Sequence, residues 1–225
     1  MKNHIVIVGS EVDSEQHLLR LMLECERSDA TLGRKIILIS QSFDIGLTVA
    51  MQNFDIKYVK GRGSSPTVLE QAAVENAGIV IVLAWSDTDP SSDGNAFDVI
   101  CRVREINSNA KIVAECVDDD NRRRLEKAGA TLVLRPVRAY PEMIIGGLLN
   151  PGSTTILENL FTAEGERIVR VDGFVAGLWA DIVSQHIHSD TGTLIAYRDA
   201  QTGKIITAPR GGSTIAADAL FLLGR

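Results

Sequence analysis

The feature that most constrains this chain is the alternation of short apolar segments with helical segments through its first 136 residues. Segments rich in β-branched residues are separated by helical stretches of about ten to fifteen residues, the rhythm of βαβ units with right-handed crossovers. We therefore expect an α/β fold with a Rossmann-like, parallel, six-stranded sheet. The predicted strands are His4–Val8, Lys35–Ile39, Ile56–Val59, Ile79–Ala84, Lys111–Cys116 and Thr131–Leu134, and the predicted helices are Glu15–Glu26, Asp44–Met51, Ser65–Glu75, Gly94–Ile106 and Asp120–Ala128.

A different pattern begins after Arg135-Pro136. Helical signals over Pro141–Leu149 and Ser153–Phe161 flank Asn150-Pro151-Gly152, which predicts a helix, a crossover turn and a second helix. From Glu166 onward the pattern indicates a small α+β lobe, with strands at Arg167–Val171, Thr193–Arg198, Lys204–Ala208 and Ala219–Leu223, a helix at Leu178–Gln185 and a hairpin loop at Asp199–Gly203. We expect three parts: a Rossmann-like lobe at 1–136, crossover helices at 137–163 and a C-terminal lobe at 164–225.

The composition is that of a globular chain, with 45% hydrophobic residues and a mean hydropathy of +0.08. No apolar run approaches the roughly 18 residues of a membrane helix, so we expect the chain itself to be cytosolic. A net charge of −6 argues against nucleic acid as a partner, because duplex binding draws on Lys and Arg contacts to phosphate. The three cysteines, Cys25, Cys101 and Cys116, lack C-x-x-C spacing and lie in apolar segments, which favours reduced core thiols.

The turn after the first strand, Gly9-Ser10-Glu11-Val12-Asp13-Ser14, keeps only the first glycine of a dinucleotide-binding G-x-G-x-x-G turn. Glu11 and Ser14 take the places of the glycines that admit the pyrophosphate and let the helix pack on the strand. The second strand ends at Ser40, where a ribose-binding carboxylate is expected. The sequence therefore predicts a Rossmann scaffold in which ordinary NAD binding is doubtful.

Ligands of doubly wound sheets bind beyond the carboxyl ends of the strands, so the residues that follow each strand are the candidates. Acidic side chains dominate there, which disfavours phosphate and favours a hard divalent cation such as Ca²⁺. The candidate ligand-binding residues are Gly9, Ser10, Glu11, Ser40, Gly61, Arg62, Gly63 and Asp87, and the candidate metal ligands are Glu115 and Asp118.

Three of these candidates have structural alternatives. Asp118-Asp119-Asp120-Asn121 is also typical of a helix N-terminus, where carboxylates accept free backbone N–H groups. Gly61-Arg62-Gly63-Ser64 offers backbone donors and a guanidinium to a phosphate or carboxylate, or forms only a turn. The loop Ser86–Gly94 lacks the full calcium-loop pattern, which favours a solvated turn with helix capping.

The histidines are weaker candidates for a sensing role. His186 and His188 would share one face of a strand and bind a transition metal or titrate near neutral pH, although surface or structural roles are commoner. His4 and His17 are further candidates on the first strand and the first helix.

Four segments together resemble the RCK domain, the regulator-of-potassium-conductance module of ligand-gated potassium channels and of Trk/Ktr uptake subunits. They are the first strand with Gly9, Lys60–Ser64 before Val68–Ala72, Ala77–Val82, and Leu125–Ala130 leading into Val133–Pro136. Gly192–Tyr197, Pro209-Arg210 and Ala216–Gly224 are similar to the family's C-terminal subdomain. The resemblance covers nearly the whole chain, and Gly61–Ser64 and the loop Arg27–Arg34 look more like the CASTOR/POLLUX cation channels.

The resemblance implies a ligand-sensing gating module on the cytoplasmic side of the cell membrane that controls K⁺ transport. It implies a homodimer through the crossover helices, further assembly into a tetramer or an octameric ring, and a membrane pore domain as partner. Calcium-activated members use the position of Glu115 as a ligand, whereas their neighbouring acidic ligand is Val117 here.

Two alternative functions remain open. The first is a peripheral, nucleotide-binding subunit of a Trk/Ktr K⁺ uptake system, and the second is an NAD(P)-dependent oxidoreductase. The sequence has no Tyr-x-x-x-Lys pair, no G-x-S-x-G elbow and no Walker A lysine, so we expect a protein that is not an enzyme.

Overall fold

The computed structural model describes residues 2–9, 15–43, 47–135, 145, 147–160, 165–188 and 192–224. The chain divides into two compact units, Met1–Pro141 and Glu142–Arg225. Within the described residues, no helix combines the length and the apolar character that crossing a membrane requires.

The described part of the first unit is a parallel six-stranded sheet with helices between the strands. The strand order is β3-β2-β1-β4-β5-β6, so the order in which strands are added to the sheet reverses between β1 and β4. The predicted Rossmann-like sheet is confirmed. The strands are β1 His4–Val8, β2 Ile36–Ser40, β3 Ile56–Lys60, β4 Ala77–Val82, β5 Lys111–Glu115 and β6 Leu132–Leu134. The helices are α1 Glu15–Arg27, α2 Val49–Gln52, α3 Pro66–Gln71, α4 Ser91–Ile106 and α5 Arg122–Ala128.

Helices bury both faces of this sheet, and β1 shows how. Val6 and Val8 belong to a core cluster that includes residues of α3, α4 and α5, whereas Ile5 and Ile7 belong to a second cluster with residues of α1 and α2. Alternate side chains of one strand therefore enter opposite cores, as expected of a central parallel strand. This double burial places β1 and its carboxyl end at the middle of the unit.

Two predicted helices of this unit differ from the structure. The predicted helix Ser65–Glu75 is interrupted, because Ala73 adopts a left-handed conformation (φ 51°) and the chain continues as a 3-10 turn at Val74–Asn76. Helix α4 begins at Ser91 rather than at Gly94, since the Asp89 carboxylate accepts the Ser91 N–H (2.9 Å) and starts the helix one turn earlier. Of the predicted helix Asp44–Met51, residues 44–46 lie outside the described part.

The described part of the second unit contains a four-stranded antiparallel sheet of order β7-β10-β8-β9. Trp179 and Ile182 pack on its apolar face against Leu194, Tyr197 and Leu220, so the predicted small α+β lobe is confirmed. Its elements are α6 Ser153–Leu160, β7 Arg167–Leu178, α7 Trp179–His188, β8 Thr193–Asp199, β9 Ile205–Thr207 and β10 Thr214–Gly224.

The chain reverses direction before α6, as the sequence predicts. Residues 147–149 are helical, Gly152 adopts a left-handed φ of 96° in the following turn, and Gly147 approaches Thr154 so closely that a Cβ would clash. Residues 141–144 and 161 of the predicted crossover helices lie outside the described part.

Strands β7 and β10 and helix α7 of the second unit are longer than predicted. Strand β7 continues past Val171 to Leu178, and β10 begins at Thr214, before the predicted Ala219. Helix α7 reaches His188, so the prediction that His186 and His188 share the face of a strand is wrong. Two residues apart on a helix they lie about 200° apart around its axis. The predicted hairpin after β8 is confirmed, since Asp199 Oδ1 accepts the Thr202 N–H (2.8 Å).

Candidate functional site

The carboxyl ends of β1 and β4 lie side by side at the point where the strand order reverses. The Leu83 N–H donates to the Val8 carbonyl (2.9 Å), and the Gly9 N–H donates to the Ile39 carbonyl (3.0 Å), so Gly9 still belongs to the ladder with β2. In open α/β sheets this reversal opens the crevice in which ligands bind. Ser10 and Glu11, predicted here as ligand-binding residues, lie outside the described part of the chain.

Ser40, at the end of β2, is fully buried, and its polar atoms form hydrogen bonds with neighbouring residues of the chain. Its hydroxyl accepts the Ser42 N–H (3.0 Å), and its carbonyl accepts the Tyr58 hydroxyl (2.9 Å) and the Gly61 N–H (3.1 Å). These bonds tie together the ends of β2 and β3. In this arrangement Ser40 shapes the wall of the crevice and offers no ribose-binding carboxylate.

The segment Gly61-Arg62-Gly63 crosses beside the end of β1. A Cβ at Gly63 would clash with the Val8 side chain, and one at Gly61, whose φ is +152°, would clash with Val68. Both glycines therefore serve close packing of the loop. Arg62 is exposed, and its Nε lies 3.4 Å from Gln41 Oε1, so its guanidinium stands at the ends of β2 and β3 and faces solvent.

Glu115, the last residue of β5, turns its carboxylate toward the end of β4. Its Oε2 accepts the Ala84 N–H (2.8 Å), and its Oε1 lies 3.9 Å from Nε2 of His17 on α1. The side chain is 16% exposed. Burial raises the pKa of Glu115 above its ordinary value, the Ala84 N–H and His17 oppose this rise, and the charge of Asp87 adds to it.

Asp87 belongs to an exposed loop that satisfies its own polar groups. The Ser86 N–H donates to the Ser92 hydroxyl (3.3 Å), which in turn donates to the Ser86 carbonyl (3.1 Å). The bond from Ser91 lowers the pKa of Asp89. Asp87 thus influences Glu115 electrostatically from a loop organised by hydroxyl groups and helix capping.

Asp93, in the first turn of α4, holds the loop that follows Glu115. Its Oδ1 accepts the Val117 N–H (2.7 Å), and its Oδ2 accepts the Asp118 N–H (3.0 Å) and the Asn121 side-chain amide (2.9 Å). The carboxylate is fully buried. Burial, followed by the charge of Asp93, raises the pKa of the neighbouring Cys116 thiol to about 11.

Asp118, predicted as a metal ligand, is placed as the cap of a 3-10 turn. Its Oδ1 accepts the Asp120 N–H (3.1 Å), which is the helix-capping alternative. No group of three or more His, Cys, Asp and Glu side chains among the described residues is arranged to hold a metal ion. Of the predicted site, Glu115 ends β5 and Asp87 follows β4 at one end of the crevice, whereas Ser40 and Gly61 to Gly63 lie at the ends of β2 and β3 at the other.

Chemically, the β4–β5 end of the crevice presents the partly desolvated carboxylate of Glu115, with an imidazole nitrogen 3.9 Å away and the charge of Asp87 acting on its pKa. Such a group attracts a cation or a proton and repels phosphate, because a like charge about 4 Å away costs roughly 4 kcal/mol at an effective dielectric near 20.

Two groups that position this end, the Ala84 N–H and the Asp93 carboxylate, were not among the predicted site residues. Asp93 stands next to the Gly94 that was predicted to begin α4. A helix start placed one turn earlier would have identified it as a residue of the first turn of the helix.

A further groove of the first unit lies between α4 and α5, with a volume of about 960 Å³. Its walls combine opposite charges, including Glu105, Arg123 and Lys127, and the Arg124 guanidinium stacks 4.1 Å from the centre of the Phe97 ring. The groove is open and contains none of the residues predicted as ligand-binding.

Comparison with known proteins shows similarity to one domain family and to a potassium channel. Residues 25–136 match the TrkA-N domain. The calcium-gated potassium channel TvoK of Thermoplasma volcanium is 28% identical over 187 residues, which cover 79% of this chain and 50% of the channel. The chain therefore spans about half the length of this curated relative.

Two solved structures share the fold. The human SLO3 gating ring superposes with a TM-score of 0.68 at 16% identity, over 99% of this chain and 44% of that chain. The TrkA-N domain of the inner membrane protein ybaL from Escherichia coli superposes with a TM-score of 0.50 at 18% identity, over 66% of this chain and 98% of that one.

Proposed function

Since residues 25–136 match the TrkA-N domain, we propose that this chain is the ligand-sensing regulatory part of a potassium channel, on the cytoplasmic side of the membrane. The sequence match to TvoK carries this proposal, because it extends over 79% of the chain and so reaches beyond the TrkA-N domain. The fold shared with the SLO3 gating ring over 99% of the chain supports the same architecture. That the chain acts on a pore and controls K⁺ transport is part of this proposal, because the match covers 50% of TvoK.

The sensed ligand in this proposal is a cation, with Ca²⁺ or another divalent ion as the first candidate. Glu115 supports it, since its carboxylate is partly desolvated at the strand reversal and Asp87 lies near enough to raise its pKa. Ser40 supports it too, because the end of β2 has no carboxylate for a ribose. Within the described residues Glu115 supplies one charged ligand group, so water or further side chains would complete the shell.

Assembly couples binding to the pore in this proposal. The crossover helices expose the apolar side chains Ile145, Leu148, Leu149 and Ile156, which would be buried between two copies. Further contacts through the Rossmann-like units would close a tetramer or an octameric ring. Moving a gate from mostly closed to mostly open takes about 5.5 kcal/mol of differential binding free energy. A ring can reach this value by summing the smaller contributions of several sites.

A chimera tests the function directly. This chain replaces the matching 187-residue region of TvoK, and K⁺ flux into vesicles is measured with Ca²⁺, Mg²⁺, ATP, ADP or NAD added in turn. We expect flux to change several-fold with a divalent cation and the response to weaken at least tenfold in Glu115→Gln. Glu126→Gln, which alters an exposed carboxylate on α5, is the matched control.

Two outcomes would contradict the proposal. Flux that is the same with every ligand would remove the regulatory function. Flux that follows ATP, ADP or NAD and ignores divalent cations would retain regulation and replace the cation by a nucleotide, as in a peripheral uptake subunit.

A further inference from the structure

Strand β7 exposes a long edge of the second sheet. Within the described residues it bonds to β10 alone, so its other edge presents backbone groups with no described strand beside them. The strand exposes large apolar side chains at Ile168 (55%) and Phe174 (73%), and Val169 and Val171 are also exposed. An exposed apolar edge of this kind is a template for pairing with another strand.

Among the registers centred on residues 169 to 172, charge favours one for pairing with a second copy. In a twofold antiparallel pair, the residues on either side of the central residue face each other across the axis. Centring the axis on Val171 places Arg170 of each copy opposite Asp172 of the other, and Ile168 opposite Phe174. Centring it on Arg170 or on Asp172 sets like charges face to face, and centring it on Val169 sets Glu166 opposite Asp172.

The geometry of β7 limits the length of this pairing. Gly173 and Phe174 lie opposite the single residue Asp218 of β10, which is a bulge that bends the strand. Pairing then covers Ile168 to Phe174, the stretch that holds the exposed apolar side chains. Arg170 donates to Asp172 Oδ1 of its own strand (2.7 Å), and both side chains stay open to a neighbour, with 45% and 70% exposure.

We propose that β7 is an interface at which two copies of this chain pair edge to edge, antiparallel, with the twofold axis at Val171. Opposite charges and apolar pairs facing each other across antiparallel strands each favour association. This interface involves other residues than the crossover helices of the proposed function. An experiment can therefore contradict the β7 interface and leave the crossover-helix interface supported, or the reverse.

Cysteine cross-linking tests the register. In a Cys101→Ser background, Val171→Cys places two thiols at the axis, whereas Val169→Cys places each thiol opposite Gly173 of the other copy. The two valines have similar exposure, 47% and 41%, and lie on the same strand. We expect Val171→Cys to form a disulfide-linked dimer under mild oxidation at least ten times faster than Val169→Cys.

Charge reversal provides an independent test. Arg170→Asp in the Val171→Cys background slows cross-linking several-fold, because it sets two carboxylates opposite each other, and adding Asp172→Arg restores the rate. Two results would overturn the proposal. One is an equal cross-linking rate for Val171→Cys and Val169→Cys, and the other is a variant with both Arg170→Asp and Asp172→Arg that cross-links as slowly as Arg170→Asp alone. Ile156→Asp, which perturbs the crossover helix α6, should leave the Val171→Cys rate unchanged.

Discussion

At the scale of single residues, two carboxylates close to the crevice differ in how fully hydrogen bonds compensate their charge. Asp93 is buried and accepts hydrogen bonds from backbone and side-chain donors, so its charge is matched by the groups around it. Glu115 accepts one strong bond, from the Ala84 N–H, and its pKa is raised by burial. The first is a structural carboxylate, and the second retains the capacity to bind a cation or a proton.

Replacing Glu115 with Gln should alter the pH dependence of stability. Because burial raises the pKa of Glu115, the folded chain holds this proton more tightly than the unfolded chain. The free energy of unfolding therefore falls as pH rises from about 4.3, the ordinary Glu value, through the raised folded value. Gln removes this component and keeps an acceptor for the Ala84 N–H, so we expect a shallower pH dependence and, at pH 7, a stability equal to or above that of the parent.

Urea unfolding at intervals from pH 4.5 to 7 measures this effect. Glu126→Gln is the control on an exposed surface and should follow the parent curve. Parallel curves for the parent and Glu115→Gln would show that the carboxylate titrates as it does in the unfolded chain.

Removal of the Asp93 carboxylate should destabilise the fold strongly. Asp93→Ala leaves the buried N–H groups of Val117 and Asp118 without their acceptor, and each such loss costs about 1 to 3 kcal/mol. We expect the free energy of unfolding to drop by about 3 kcal/mol in chemical denaturation. Asp98→Ala, which removes an exposed carboxylate of the same helix, should change it by less than about 0.5 kcal/mol. A comparable loss in both variants would contradict the structural role of Asp93.

At the scale of elements, the loop after β3 depends on close approach to β1. Gly63 lies against Val8 at the carboxyl end of β1, where a side chain larger than hydrogen has no room. The loop and the strand together form one wall of the crevice, so the glycine serves the shape of the site through packing.

Gly63→Ala should therefore be destabilising for a steric reason alone. Its Cβ would overlap the Val8 side chain in a packed core, which costs about 1 to 3 kcal/mol. Val8→Ala in the same chain relieves the overlap, so a double-mutant cycle measured by thermal unfolding should show favourable coupling between the two changes. Gly94→Ala is the matched control, since a methyl group there would meet nothing within 4 Å, and helix propensity predicts a gain of up to about 1 kcal/mol. Additive changes at Gly63 and Val8 would contradict this contact.

At the scale of the whole molecule, several exposed apolar side chains lie on two elements of the second unit. Leu148, Leu149 and Ile156 are exposed on the crossover helices, and Ile168 and Phe174 are exposed on β7. Large apolar groups concentrated in this way are typical of surfaces that bind other chains. Two independent contacts between copies are the kind of arrangement that builds an assembly larger than a dimer.

A charge on the crossover helices should weaken self-association. Ile156→Asp places a carboxylate in the proposed apolar interface, and we expect the dissociation constant to rise at least a hundredfold, or about 2.7 kcal/mol, in sedimentation equilibrium. Leu32→Asp alters an equally exposed leucine in the loop between α1 and β2 and should leave association unchanged. Equal association by both variants would contradict an interface at α6.

Much of the fold was predictable because its signals are local. The apolar strands, most of the helices between them and the Asp199–Gly203 hairpin follow from periodicity and turn residues, whereas the full lengths of β7 and β10 do not. The break at Ala73 and the placement of His186 and His188 on a helix were not predictable in this way. Both depend on where neighbouring elements begin and end.

The candidate site remains a prediction, and the sequence and the tertiary structure contribute different parts of it. The sequence by itself determined that acidic residues follow β4 and β5 and that Ser40 stands where a ribose-binding carboxylate is expected, and from these residues it predicts a cation rather than a phosphate. Only the tertiary structure decided which carboxylate is available, because Glu115 reaches Ala84 across 31 residues and Asp93 reaches Val117 across 24. Hydrogen bonds of that span depend on the order of the strands in the sheet, and residue type and spacing along the chain contain no measure of it.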